Sequence, residues 1–124
     1  MIVHVDTSAL VDALTGPRRS IETMIRLADE GHRLTLSAIA LYEWSRGPRT
    51  KQELAAQEAL FPSEHVIAFG HAEAAAAARL YTLVKRPRGR EVDLAIAATA
   101  TVHGAALWTL NTADFRDITA LRLI

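Results

Sequence analysis

The chain has 124 residues, 50% of them hydrophobic, with 14 Lys+Arg balancing 14 Asp+Glu and no cysteine. That length and apolar content suffice for one domain with a buried core, and zero net charge excludes a uniformly basic polyanion binder, so any nucleic-acid contact needs a local patch. The lack of cysteine excludes a disulfide framework and thiolate zinc sites, no run is long enough to span a membrane, and no basic leader precedes the first apolar run, so a cytoplasmic protein is expected.

The stretch Ile2-Val3-His4-Val5 reads as a short buried strand rich in β-branched residues. Thr7 or Ser8 is placed to cap a helix over residues 9–14, which Gly16-Pro17 ends. Ile21, Met24, Ile25, Leu27 and Ala28 keep helical spacing within residues 18–30, closed by Gly31. A second strand is expected at residues 33–36. Ser37 then caps a helix carrying Glu43 and Trp44, stopped by Gly47-Pro48, and another helix fills residues 50–60 ahead of Pro62.

Residues 65–69 read as a third strand. An alanine-rich helix follows over residues 71–85, where alanine favours the helix and permits close packing. Pro87, Arg88 and Gly89 break the pattern before a helix over Glu91–Val102. Residues 105–108 form a fourth strand and residues 121–124 offer a fifth. Strands alternating with helices predict right-handed crossovers and a mainly parallel sheet of four to five strands covered on both faces, in one domain over residues 1–124.

In such a sheet, ligands bind at the edge formed by the strand carboxyl ends. Asp6 ends the first strand, and Asp114 follows the fourth in Thr109-Leu110-Asn111-Thr112-Ala113-Asp114-Phe115. Asp93 lies in the first turn of the helix that leads back from that edge. Glu43, one and a half turns into its helix, can lean towards the edge with its longer side chain. Asp93 shares a face with Ile96, Ala97 and Ala100, so it points inward, whereas Glu91 points to water. An inward carboxylate needs compensation, and no Lys or Arg shares the stripe. Several such acids repel one another unless a divalent ion neutralises them. Oxygen donors without Cys, and without His at chelating spacing, favour Mg2+ or Mn2+ over zinc, which suits phosphate chemistry.

With these acids in place, the sequence resembles the PIN-domain family, specifically the VapC-like toxin ribonucleases of bacterial toxin–antitoxin pairs. The segments that carry the resemblance are Val5-Asp6-Thr7-Ser8-Ala9-Leu10, Ala40-Leu41-Tyr42-Glu43, Asp93-Leu94-Ala95-Ile96-Ala97-Ala98 and residues 109–115, in the family's order. The resemblance implies a three-layer α/β/α sandwich and a Mg2+-dependent endoribonuclease that hydrolyses RNA phosphodiesters with metal-activated water. It also implies a homodimer inhibited by a cognate antitoxin. By the same resemblance Asp6 and Asp93 are the central metal ligands, with Glu43 and Asp114 completing the cluster directly or through water. Thr7, Ser8, Thr109 and Asn111 become supporting hydrogen-bonding groups. Some relatives carry a further acid near Asn111, which this chain lacks.

Lys85, Arg86, Arg88 and Arg90 form the strongest basic cluster and lead directly to Asp93, so they are candidates for RNA-backbone contact, set against the reading of a solvated loop. Arg46 and Arg49 are weaker candidates of the same kind. Asp12 and Asp117 read as surface acids, Trp108 as core and Trp44 as either core or interface, and the scattered histidines carry no assigned role. The competing functions are a PIN-like domain kept only for binding RNA or protein, which the four acids oppose, and a phospho-receiver-like switch. The receiver reading wants an Asp after a middle strand and a late Lys, and this chain has neither.

Overall fold

The computed structural model describes residues 1–124. Its centre is β1 (Ile2–Val5), a near-continuous apolar run of the kind a parallel strand covered on both faces requires. β1 pairs in parallel with β2 (Arg33–Thr35) through Val3↔Leu34 and His4↔Thr35, and with β3 (Ala106–Trp108) through His4↔Leu107 and Val5↔Trp108. The strand order is β2-β1-β3. Val3, His4, Val5 and Leu107 are fully buried. His4 donates or accepts at Nδ1 with Thr35 Oγ1, while its Nε2 lacks a partner. Burial first, and then the charge of His103, push the His4 pKa down to about 4, so the ring is neutral at pH 7.

The sheet is narrower than the sequence predicts. Residues 65–69 do not form a strand: Ser63–His65 is a 3-10 turn following Pro62, and only Ile67 docks, bridging to Ser37. Ile67 donates to the Leu36 carbonyl at 2.9 Å and accepts from Ala38 at 2.8 Å, and Phe69-Gly70 then leaves the sheet exposed. The turn consumes the residues that a strand would need. At the other flank residues 121–124 contribute one bridge, Leu123 to Leu107. The fold class is nevertheless the expected α/β sandwich, with the two outermost strands reduced to single bridges.

Six helices cover the sheet. α1 (Thr7–Leu14) packs against α2 (Ile21–Asp29), α3 (Ala38–Arg46) and α4 (Lys51–Leu60), while α5 (His71–Leu83) lies along α6 (Glu91–Val102), which packs on β3. Local chemistry sets their starts: Ser37 accepts from Ala40 N–H at 3.0 Å, and Thr50 and Glu53 form a reciprocal capping box. α1 begins two residues earlier than expected, and Thr7 and Ser8 lie inside it; Asp6 occupies the cap position without a side-chain cap bond. α6 is buried from Leu94 to Ala100, so it is a core helix rather than an amphipathic one. Gly89, at φ +84°, makes the left-handed step by which the basic loop turns into α6. No helix is long and apolar enough to cross a membrane.

Candidate active site

Because the three strands are parallel, the ends of β1 and β3 lie at one edge, and Asp6 N–H donates to the Trp108 carbonyl there at 2.9 Å. Asp6 is 4% exposed. A carboxylate so buried must be hydrogen-bonded, and its Oδ2 accepts from Ser8 Oγ and from Thr109 Oγ1, each at 2.8 Å. The same hydroxyls hold the following loop: Leu110 N–H donates to Ser8 Oγ at 3.1 Å and Asn111 N–H to Thr109 Oγ1 at 3.0 Å. Ser8 and Thr109 therefore orient Asp6 and fix the segment leading to Asp114. The Asn111 backbone takes part in this network, and its carbonyl accepts from Asp114 N–H at 3.0 Å.

Glu43 reaches the edge as its helix position allows: Thr7 Oγ1 donates to its Oε1 at 2.8 Å. Its other oxygen is 3.6 Å from Arg46, whose guanidinium also lies over the Tyr42 ring. Asp93 opens α6 and is half-buried, while Glu91 is exposed, the inward and outward directions expected of them. Asp114 stands exposed in a 3-10 turn, Thr112–Asp114, anchored by the buried Phe115. The Asp93 pKa is pushed up from its ordinary 3.8 to about 6, first by desolvation and then by the charges of Asp6, Asp114 and Glu43. Arg90 opposes the shift without cancelling it. The four predicted acids, from four separate segments, thus share one electrostatic neighbourhood.

The basic residues separate into distinct environments. Lys85, Arg86, Arg90 and Arg116 line an open groove of about 790 Å3 beside Asp114 and Asp117. Arg88 is exposed and outside that lining. Arg90 is engaged: its guanidinium donates to both oxygens of Asp117 at 2.8 Å and to the Asp114 carbonyl at 2.8 Å. The pair's mutual hydrogen bonds raise the Arg90 pKa and lower that of Asp117. Arg49 is engaged as well, stacked 4.3 Å over the fully buried Trp44, whose carbonyl it bonds. Asp117, expected to be a surface acid, is instead paired with Arg90, and Arg116 is not singled out by the sequence, because both fall outside the acid motif and the basic run. Only their placement after Asp114 hints at them.

Charge coupling reaches further than ligation. No three Asp, Glu or His side chains are gathered as a ready-made metal site, so an ion shared by these acids would call for side-chain adjustment. The donor chemistry itself fits a hard divalent cation: all-oxygen carboxylates, one of them desolvated and destabilised by the other three. Of the neighbouring guanidiniums, Arg90 is already committed to Asp117, and Arg46 lies 3.6 Å from Glu43.

Residues 3–121 match the PIN domain family. Comparison with curated proteins returns no match. Among solved structures, VapBC2 from Rickettsia felis bound to a DNA fragment from its promoter is similar at 23% identity and a TM-score of 0.77, over 100% of this chain and 98% of that one. VapBC-1 from nontypeable Haemophilus influenzae gives 25% and 0.74, over 100% of this chain and 97% of that one. A toxin–antitoxin complex from Klebsiella pneumoniae gives 26% and 0.75, over 98% and 95%.

Proposed function

The chain belongs to the PIN domain family, and from that premise we propose that it is a Mg2+-dependent endoribonuclease, the toxin of a type II toxin–antitoxin pair. The observation that carries the reading is the convergence of Asp6, Glu43, Asp93 and Asp114 on one sheet edge, where burial and then the charges of the other three raise the Asp93 pKa. Asp6 and Asp93 would hold Mg2+, or Mn2+ in its place, with Glu43 and Asp114 completing the set directly or through water. Bound there, the ion would supply activation of water and charge stabilisation on the phosphoryl oxygens.

The chain's own residues do the rest. Ser8 and Thr109 keep Asp6 facing the edge, and Thr7 keeps Glu43 there. A cluster carboxylate orients the attacking water or accepts its proton. Lys85, Arg86 and Arg116 in the adjoining groove, with exposed Arg88 on the same loop as Lys85 and Arg86, meet the phosphate backbone of RNA. The similarity to toxin–antitoxin complexes supports a cognate antitoxin as partner. Exposed Tyr42, Tyr81 and Leu83 offer apolar surface for it or for a second copy of the chain. RNA cleavage under control of a protein antitoxin is a cytoplasmic activity.

Expression in a bacterial host tests the reading. Wild-type protein should arrest growth and deplete particular RNAs, and Asp93→Asn, made at the same level, should do neither. Equal arrest by both proteins would reject the assignment.

A further inference from the structure

We propose that Arg90 and Asp117 form a positioning clamp that holds the Asp114 turn against the start of α6, and that Arg90 is not an RNA-backbone contact. The proposal rests on the ribonuclease reading above. Arg90 is the residue just before α6, its backbone fixed at both sides by Arg90 N–H to the Pro87 carbonyl and Leu94 N–H to its own carbonyl, each at 2.9 Å. Three residues later comes Asp93. From this anchored position the guanidinium fork spans 27 residues to take both oxygens of Asp117, and its Nη2 also bonds the Asp114 carbonyl at 2.8 Å.

One side chain therefore ties the segment bearing Asp93 to the segment bearing Asp114. The 3-10 turn has little else to hold it on this side: Thr112, Ala113, Asp114, Arg116 and Asp117 are all exposed, with only Phe115 and Ile118 buried beneath. The planar fork matters, because a point charge could not satisfy a bidentate carboxylate and a carbonyl together. With its donors directed at Asp117 and Asp114, Arg90 has little left to offer a phosphate. Lys85, Arg86 and Arg116 remain for that task in the same groove.

Two variants test this: Asp117→Asn, and the charge-balanced Arg90→Gln/Asp117→Asn. Mn2+ affinity is measured by calorimetry, turnover at saturating RNA separately, and RNA affinity by anisotropy in EDTA, with Arg86→Ala for comparison. Loss of a group that orients a metal ligand typically costs about 10–100-fold in metal affinity or activity, and both variants should fall in that range. The melting temperature should shift only slightly, because the pair lies at the surface with Asp117 48% exposed. RNA affinity of the double variant in EDTA should match wild type, whereas Arg86→Ala should weaken binding and flatten its salt dependence. Unchanged Mn2+ affinity and turnover in both variants overturns the clamp alone. So does a double variant that loses RNA affinity and salt dependence as Arg86→Ala does. A wild type that binds no Mn2+ overturns the metal reading, and the clamp's role with it.

Discussion

Asp93 bears the electrostatic cost of the cluster. A carboxyl moved from 3.8 to about 6 corresponds to about 3 kcal/mol at most, and roughly 1–2 kcal/mol after allowing for solvent screening of a half-exposed group. The sign follows from proton binding: between those values the folded state holds more protons than the unfolded one, so stability falls as pH rises through 6. Asp93→Asn removes the charge and keeps the shape. In EDTA it should raise the melting temperature by about 5 °C at pH 7.5 and by almost nothing at pH 4. A difference constant across pH would show that the charge is not what strains the fold. His4, pushed down to about 4, adds an opposite acid-side dependence common to both proteins, so the difference isolates Asp93. These residues were unequally legible in the sequence. Asp6 could be read from its place at a strand end and Asp93 from its stripe with Ile96, Ala97 and Ala100. The Arg90–Asp117 pair could not, because partners 27 residues apart leave no local signal.

At the level of elements, α6 explains both a success and a partial one. Its bounds were legible because Gly89 and Gly104 punctuate an uninterrupted helical run. The stripe with Ile96, Ala97 and Ala100 predicts the inward direction of Asp93, yet the helix is buried all round from Leu94 to Ala100, so that stripe is not a distinct face. Such a helix has no room to grow. Ala97, fully buried, should tolerate no enlargement: Ala97→Leu should cost about 1–3 kcal/mol by overpacking, whereas Ala72→Leu on the exposed face of α5 should stay within about 0.5 kcal/mol. Chemical denaturation measures both, and equal stabilities would contradict the packing described. The outer strands are shorter than the sequence predicts for a physical reason. Periodicity identifies β-branched segments such as Val66-Ile67, but strand length depends on a neighbour to pair with, and here a 3-10 turn and an open edge leave one bridge.

At the level of the whole molecule, topology assembles the site. Parallel pairing brings the ends of β1 and β3 together, α6 runs back from that edge, and α3 starts beside it, so acids at positions 6, 43, 93 and 114 come within one electrostatic neighbourhood without any being near another in sequence. The neutral net charge conceals this polarity: acids gather at the edge while Lys85, Arg86 and Arg116 line the adjoining groove. A basic surface beside an acidic one suits a polyanion drawn to a cation-dependent site. The proposed cleavage of RNA at the acidic edge with a divalent ion is tested by incubating purified wild-type and Asp93→Asn protein with structured RNAs in Mg2+ and in EDTA. Cleavage should occur only with wild type in Mg2+, the substitution lowering the rate by no less than the roughly 10–100-fold that loss of a group supporting a metal ligand costs. Cleavage that persists in EDTA, or that Asp93→Asn leaves intact, would contradict it.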